Sequence, residues 1–200
     1  MQIIGHRGAK GLAPENTILA IRVAIREKVD MIEIDVQLKG KTLVLSHDPV
    51  VEGKKYTTLH TALEKIHGKT PLNIEIKEQK AVKPAKIVAA IKKELSGYKG
   101  RVVISCYNYK ILLEVRHSMP KAEIAVLEKW SGVRAVAKAS LLKTKRIHMN
   151  QKSLWSGFVR SMKHSGYELH AYTVNLSDRA DELESWGVDG IFTDYPSLFR

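Results

Sequence analysis

Short apolar runs alternate with amphipathic stretches along almost all of this chain. The runs are rich in Val and Ile and have the length of strands, and the stretches between them place apolar residues at helical spacing. Strand, helix and strand in this rhythm are typical of right-handed crossovers and a mostly parallel sheet. The pattern predicts strands at Gln2–Gly5, Met31–Val36, Thr42–Ser46, Leu72–Ile76, Arg101–Ser105, Glu123–Leu127, Arg146–His148, Glu168–Val174 and Gly190–Thr193.

Helical periodicity fills most of the intervals between these strands. Asn16 or Thr17, Ser153 and Ser177 are expected to cap helix N-termini, and Gly187 is expected to end the last helix. The predicted helices are Asn16–Glu27, Thr58–Ile66, Lys83–Leu95, Tyr109–His117, Trp130–Ala139, Ser153–His164 and Ser177–Trp186.

The number of predicted strands is one more than an eight-stranded barrel needs. The link between Val36 and Thr42 is too short for a crossover helix, because a parallel connection needs about a dozen residues. We therefore expect a hairpin near residues 31–47 that turns at Gly40. An open doubly wound sheet is the alternative, but no glycine-rich dinucleotide loop follows the first strand. The prediction is an α/β fold, a slightly irregular TIM-type (β/α)8 barrel, in a single domain of residues 1–200.

Acidic residues interrupt two predicted strands. In MIEIDV, Glu33 and Asp35 share one face because strand side chains alternate, and Glu75 follows the same pattern in LNIEIKE. In a parallel barrel, charged inward residues are tolerated mainly at the mouth formed by the carboxyl ends of the strands. Three converging carboxylates would repel one another and would suit a hard cation, Mg²⁺ or Ca²⁺. The alternatives are separate salt bridges to Lys77 or Arg7, or a hairpin with one face in water.

Two histidines lie at neighbouring strand ends, His6 in GHRG and His47 in SHDP. Imidazole titrates near neutral pH, so one ring can act as a base and the other as an acid. Arg7 and Lys77 supply positive charge for an anionic group, and the Arg fork matches a phosphate. The remaining histidines are interpreted as structural: His60, His67, His117, His148, His164 and His170.

The chain is strongly basic, with 33 Lys and Arg against 21 Asp and Glu and a formal net charge of +12. Such a field attracts phosphates, acidic membrane surfaces and nucleic acids, although lysines also keep proteins soluble. Nucleic acid is not the expected partner, because no basic run is interleaved with aromatic residues. One cysteine excludes an internal disulfide framework. Without a visible signal peptide or an apolar stretch of membrane-spanning length, we predict a cytoplasmic location.

Five motifs, in order along the chain, resemble the glycerophosphodiester phosphodiesterase family: GHRGAKGLAPENT, EIDVQLKGKTLVLSHDP, LNIEIKE, AYTVN and WGVDGIFTDYP. The resemblance implies a TIM-type barrel that uses one divalent cation to hydrolyse glycerophosphodiesters to an alcohol and glycerol phosphate. Carried to this sequence, it implies the metal ligands Glu33, Asp35 and Glu75, the catalytic acid and base His6 and His47, and the phosphate-binding residues Arg7 and Lys77.

Other residues within these motifs are expected to support the site. Glu15 and Asn16 are expected to organise the first loop and helix, and Asp48 to orient His47 or its loop. Thr173, Asn175 and Asp194 are expected at most to stand behind the residues that touch substrate. The family's Ser-Phe element corresponds to Ser105–Tyr107, and a family Trp is replaced by Tyr172, so the pocket is expected to differ in shape.

The sequence departs from the family after SHDP. Family members usually carry an insertion there that forms a small cap over the site. Here only residues 47–71 separate the HD pair from LNIEIKE, and they must also include a helix. The cap is therefore expected to be reduced or absent, which would leave an open mouth.

An open mouth leaves two alternatives to hydrolysis of a small glycerophosphodiester. One is a lysophospholipase D-like hydrolase that acts on lipids at an anionic membrane surface. The other is a non-catalytic phosphate-binding barrel, which the intact set of site residues argues against. Trp130, Trp155 and Phe158 could contact lipid, but their helical spacing is more typical of core residues.

Overall fold

The strands agree closely with the periodicity of the sequence. The structure, a computed structural model, describes residues 1–199; Arg200, the last residue of the predicted domain, lies outside the described residues. Within residues 1–199 the strands are β1 (Gln2–Gly5), β2 (Met31–Lys39), β3 (Thr42–Leu45), β4 (Leu72–Ile76), β5 (Val102–Cys106), β6 (Glu123–Glu128), β7 (Arg146–Asn150), β8 (Glu168–Tyr172) and β9 (Gly190–Thr193).

The helices alternate with the strands after β3. Two short 3-10 helices, Gln151–Ser153 and Pro196–Phe199, follow β7 and β9. Within the described residues, no helix is long and apolar enough to cross a membrane. The α-helices are α1 (Ile18–Arg26), α2 (Leu59–Ile66), α3 (Pro84–Glu94), α4 (Tyr109–Ser118), α5 (Gly132–Leu141), α6 (Ser156–His164) and α7 (Ser177–Trp186).

The parallel strands close into a barrel. Around it the order is β1, β9, β8, β7, β6, β5, β4 and β2, and the pairing of Ile4 with Met31 joins β2 back to β1. The remaining described strand, β3, pairs antiparallel with β2 through Val36–Leu45 and Lys39–Thr42. Gly40 turns the hairpin with a φ of +64°. The irregular TIM-type (β/α)8 barrel and its hairpin are therefore confirmed.

The alternation along β2 decides which side chains reach the barrel interior. Ile32, Ile34 and Val36 are fully buried and pack with the helices in the large core. Met31 instead packs with Ile4 in a smaller cluster that also contains Val103, Ala125 and Phe192. Since Glu33 and Asp35 share the face of Met31, they point inward, above this apolar floor. The alternative of a hairpin with one face in water is wrong, because β2 is buried from Met31 to Leu38.

Helix ends agree less well with the sequence. Thr17 caps α1 by accepting a hydrogen bond from the backbone N–H of Ala20, as expected. Ser153 and Ser177 are wrong as N-caps: the capping positions of α6 and α7 are Trp155 and Leu176. Ser153 instead ends a 3-10 helix, which the side chain of Asn150 caps. At α6 the polar residue did not mark the cap, because an extra 3-10 turn took up the residues before the helix.

The connection from β3 to α2 is short. Residues 46–58 contain no helix and no strand, and the one bridge at their end joins Val44 to Thr58. The expectation of a reduced cap is confirmed, because these residues include no helix or strand from which a cap could be built.

Candidate active site

The predicted site residues meet at the carboxyl ends of the strands. These ends lie at one face of a parallel barrel, where a cavity of about 240 Å³ opens. Six of the seven predicted residues line the cavity: His6, Arg7, Glu33, His47, Glu75 and Lys77. The seventh, Asp35, lies next to them and is 1% exposed.

The three acidic residues form one cluster. Glu33, Asp35 and Glu75 each offer a carboxylate oxygen, and these oxygens lie within 4.8 Å of one another. The parallel register of β2 and β4 causes this, because it sets Asp35 opposite Glu75. Cations reach the same group: Lys77 Nζ lies 2.6 Å from Glu75 and 3.4 Å from Asp35, and Arg7 Nε lies 3.3 Å from Asp35. The expected cluster and the alternative salt bridges therefore occur together, around Asp35.

The cluster holds more negative charge than its two cations balance. Burial, and then the charge of Asp35, raise the pKa of Glu33 well above its usual range and raise that of Glu75 as well. Burial opposes the charged form of Lys77, but the negative charges of Glu75 and Asp35 raise its pKa overall. Arg7 also shares its charge with Glu15, to which Nη1 donates at 3.0 and 2.9 Å.

One oxygen of Glu33 is free to bind a ligand. Its Oε2 accepts a hydrogen bond of 2.7 Å from the backbone N–H of Arg7. Its buried Oε1 has no hydrogen-bond partner within the described chain. A buried, unpaired carboxylate oxygen is costly unless a cation or proton compensates it. Together with the oxygen-only donor set, this fits a hard divalent cation.

Asn16 holds Asp35 in place from both sides. Its side-chain Nδ2 donates to Asp35 Oδ2 at 2.9 Å, and its side-chain Oδ1 accepts from the backbone N–H of Asp35 at 3.0 Å. The residue has a φ of +57°, which turns the chain so that the amide reaches the barrel. The sequence assigned Glu15 and Asn16 to loop organisation only. In the structure Glu15 also accepts hydrogen bonds from Arg7, and Asn16 also hydrogen-bonds with Asp35.

The two histidines each pair through Nδ1 with an aspartate. His6 Nδ1 lies 2.6 Å from Asp194 Oδ1, and His47 Nδ1 lies 2.9 Å from Asp48 Oδ1. Asp194 is held in turn by Asn175, whose side-chain amide donates to Oδ2 at 2.9 Å. Burial opposes ionisation of Asp194, but the hydrogen bonds from His6 and Asn175 lower its pKa overall. In both pairs the aspartate restricts the orientation of the ring through Nδ1.

The cavity is also lined by two tyrosines that the sequence noted as changes in pocket shape, Tyr107 and Tyr172, and by Lys129, which it did not single out. Tyr107 donates to the hydroxyl of Tyr172 at 2.6 Å, and Tyr172 donates to the carbonyl of Glu128 at 2.9 Å. Lys129 follows β6 as His6 follows β1, and this position at a strand end is the signal that could have identified it.

His148, which was interpreted as structural, also lines the cavity. It is fully buried, and neither ring nitrogen has a hydrogen-bond partner among residues 1–199. Burial lowers its pKa well below the usual value, so the ring is neutral at pH 7.

Comparisons with known proteins agree on one family. The profile of the Glycerophosphoryl diester phosphodiesterase family matches residues 6–53 and 50–198. The two matches meet in the short loop between β3 and α2. A glycerophosphodiester phosphodiesterase of Caldanaerobacter subterraneus is 30% identical, over 97% of this chain and 94% of that protein. One of Bacillus subtilis is 27% identical, over 98% of this chain and 84% of that protein.

A solved structure has the same fold. It is a phosphodiesterase of Oleispira antarctica in complex with its product sn-glycerol-3-phosphate, and it superimposes with a TM-score of 0.92. The superposition covers 99% of this chain and 94% of that one, at 24% sequence identity.

Proposed function

Because this chain belongs to the glycerophosphoryl diester phosphodiesterase family, we propose that it hydrolyses glycerophosphodiesters to an alcohol and glycerol phosphate. The observation that carries the proposal is the meeting of a buried three-carboxylate cluster with two aspartate-paired histidines at one barrel mouth. Cytoplasmic location and a single domain over residues 1–200 stay predictions of the sequence.

We assign the charged residues to phosphate binding. A divalent cation, Mg²⁺ or Ca²⁺, held by Glu33, Asp35 and Glu75 would withdraw charge from the phosphoryl oxygens. Arg7 directs Nη1 to Glu15, so its other terminal nitrogen remains for a phosphoryl oxygen. The ammonium of Lys77 has three donors and stabilises the negative charge that develops as the nucleophile attacks.

We assign proton transfer to the histidines. One ring removes the proton of the nucleophile, which is water or the neighbouring hydroxyl of the glycerol. The new oxygen–phosphorus bond forms as the bond to the leaving alcohol breaks, and the second ring gives its proton to the leaving alkoxide. On the hydroxyl route the intermediate is a cyclic phosphate, which water then opens. On either route, His6 can be the base and His47 the acid, or the reverse.

The first test is release of glycerol phosphate from glycerophosphocholine and glycerophosphoethanolamine by the purified protein. We expect release with Mg²⁺ or Ca²⁺ and little with a chelator. Glu33→Ala should abolish it, because the cluster loses the oxygen that has no protein partner. Full activity of Glu33→Ala, or of the wild type in chelator, would contradict the cation assignment.

The histidines are tested in the same assay. His6→Ala and His47→Ala should each lower kcat by about 10²–10⁴-fold, the range of a positioned acid or base. His117→Ala is the matched control, because this ring is exposed in the last turn of α4 and should leave kcat unchanged. Thermal unfolding of all variants shows whether they fold. Near-normal turnover of both site variants would contradict the assignment.

We propose lysophospholipid hydrolysis at an anionic membrane surface as the second candidate function. The short β3–α2 loop favours it, because no inserted cap of helices or strands stands on that side of the mouth. The same assay with lysophosphatidylcholine distinguishes the candidates by their relative kcat/KM. If folded protein releases nothing from either class while it binds inorganic phosphate tightly, the non-catalytic phosphate-binding barrel becomes the better explanation.

A further inference from the structure

Several large apolar side chains around the mouth are exposed to solvent, and four of them follow the adjacent strands β6, β7 and β8. Trp130, Val133, Trp155 and Leu176 are 66%, 83%, 63% and 71% exposed. They lie in the loops after β6, β7 and β8 or in the first helical turn that follows. All four therefore belong to the face of the barrel that carries the candidate active site. We call these four residues the apolar rim.

Hydrogen bonds join the three loops. Ser153, in the loop after β7, donates to the carbonyl of Lys129 at 2.7 Å and so joins the loop after β6. Arg179, in the first turn of α7, donates to the carbonyls of Gln151 at 2.5 Å and Leu154 at 3.3 Å. These bonds hold the loops that carry the apolar rim together on one side of the mouth.

The sequence interpretation of the two tryptophans as core residues is wrong. Helices α5 and α6 begin at Gly132 and Ser156, so Trp130 and Trp155 precede them and lie outside their buried faces. The ring of Trp155 lies against Gly157, where an added Cβ would come within 2.2 Å of the ring. The absence of a Cβ at Gly157 thus leaves room for the indole of Trp155 at the start of α6, while most of the indole surface is exposed to water.

Two exposed lysines lie in the loops that carry the tryptophans of the apolar rim, and the exposed Asp178 lies beside Leu176 at the start of α7. Lys129 and Lys152 are exposed, and Lys129 Nζ lies 4.8 Å from the centre of the Trp130 ring. Glu128 in the same region is buried and is neutralised by Arg134 and Lys138. An exposed Trp beside Lys is the combination that settles at the boundary between lipid head groups and acyl chains. The formal charge of +12 adds long-range attraction to an anionic surface.

We propose that the apolar rim docks on an anionic phospholipid surface, with the barrel mouth facing the head groups. The inference deepens the second candidate function and rests on it for catalysis, but docking itself requires no turnover. A lipid surface fits better than a second copy of this chain, because Lys129 and Lys152 of two copies would face each other at a self-complementary interface.

The test is co-sedimentation with vesicles of phosphatidylglycerol and phosphatidylcholine. We expect binding that weakens as salt is added and is lost on pure phosphatidylcholine. The double variant Val133→Ser with Trp155→Ser should bind these vesicles at least about tenfold more weakly than the wild type. Leu141→Ser is the matched control: it removes a side chain 69% exposed at the opposite end of α5 and should bind as the wild type does.

Tryptophan quenching by brominated lipids gives a second readout from near-native protein. Variants that keep only Trp130 or only Trp155, the others replaced by Phe, should be quenched on anionic vesicles. A variant that keeps only Trp186, half-buried at the end of α7, should not be quenched.

Three outcomes would overturn the proposal: no vesicle binding, binding that the rim variants do not weaken, or quenching confined to Trp186. A dimer in sedimentation velocity that the rim variants dissociate, without vesicle binding, would assign the surface to a second copy. Hydrolysis of glycerophosphocholine is measured in parallel and should be equal in wild type and the double variant. A failure of the proposed chemistry is thereby distinguished from a failure of docking.

Discussion

The two candidate proton carriers differ at the level of single residues. The side chains of His6 and Asp194 are each 15% exposed, and Asn175 fixes the aspartate from behind. His47 is 37% exposed, and its partner Asp48 is 85% exposed. A hydrogen bond in a partly buried environment orients a ring more strongly than one that water competes for. Asp194 should therefore contribute more to kcat than Asp48.

We expect Asp194→Asn to lower kcat by about 10²-fold, the lower end of what a positioned proton carrier contributes. The amide can still accept from the ring but no longer stabilises its charged form. Asp48→Asn, the matched change at the exposed pair, should cost less than tenfold. Steady-state kinetics on glycerophosphocholine, with a pH profile for each variant, measure the difference. Equal losses would show that burial does not separate the two pairs.

At the scale of elements, the β2–β3 hairpin positions His47. Gln37 in β2 is 3% exposed, and its side-chain amide donates to the carbonyls of Ser46, His47 and Asp48 at 2.9, 3.3 and 2.7 Å. One strand residue thus gathers the loop after β3 and turns it towards the barrel mouth. An antiparallel strand, exceptional in this barrel, delivers a histidine that no parallel strand end supplies.

Gln37→Leu should lower kcat by about 10- to 100-fold, because a displaced reacting group loses its orientation. The three carbonyls also lose their donor, so the free energy of unfolding should fall by about 1–3 kcal/mol. Kinetics and urea unfolding measure the two effects.

Gln79→Leu is the matched control for Gln37→Leu. Gln79 exchanges two hydrogen bonds with the backbone of Leu38, also in β2, but does not touch the His47 loop. The Gln79→Leu variant should lose as much free energy of unfolding as Gln37→Leu and keep the kcat of the wild type. A similar fall of kcat in both variants would assign the effect to β2 rather than to the loop.

At the scale of the whole molecule, the two ends of the barrel carry different charge arrangements. At the end opposite the mouth, Arg146 lies between Glu123 and Glu168, with both contacts at 2.7 Å. Arg101 adds a second contact to Glu123 at 2.9 Å. Both carboxylates here have an arginine partner, although Arg146 Nε has none within the described residues, whereas Glu33 at the mouth keeps an unpaired carboxylate oxygen. The two ends of the barrel therefore differ in how their acidic residues are paired.

The paired carboxylates predict that the free energy of unfolding falls in acid. Hydrogen bonds from Arg101 and then Arg146 lower the pKa of Glu123 from 4.5 to about 2. Burial opposes ionisation of Glu168, but His170 and Arg146 lower its pKa overall. Folded pKa values below the unfolded ones mean that the unfolded state binds more protons in this range. The contribution is therefore complete above about pH 5 and is lost as the pH falls towards 2.

Arg146→Met should lower the free energy of unfolding at pH 7 by about 1–2 kcal/mol, a figure reduced for solvent screening of Glu123. The difference from wild type should narrow as the pH falls from 5. Urea unfolding at several pH values measures it. Arg160→Met, at an exposed position of α6, is the control and should differ little from wild type at any pH. A difference that grows in acid would contradict the linkage.

Agreement with the sequence was best where local periodicity decides the structure. The bounds of β1, β4, β9 and α7 coincide with those predicted. Other ends moved by one to three residues: β2, for example, runs to Lys39 instead of Val36. Its extension depends on pairing with β3, which periodicity within β2 does not reveal.

Local patterns in the sequence predicted the alternation of strands and helices and the residues that form the candidate site. Side-chain periods of two and 3.6 are short-range properties, and charged residues in parallel strands are tolerated mainly at the mouth. From these alone, Glu33, Asp35, Glu75, His6 and His47 were expected to meet.

The residues that stand behind and around the candidate site are set by contacts between distant parts of the chain. His6 pairs with Asp194, which lies 188 positions away, and Asn16 clamps Asp35 because the first loop folds back over β2. Trp130 and Trp155 share helical spacing with core residues, yet they are exposed because their helices begin after them. Barrel closure brings together residues distant in sequence, and no local pattern encodes which of them will touch.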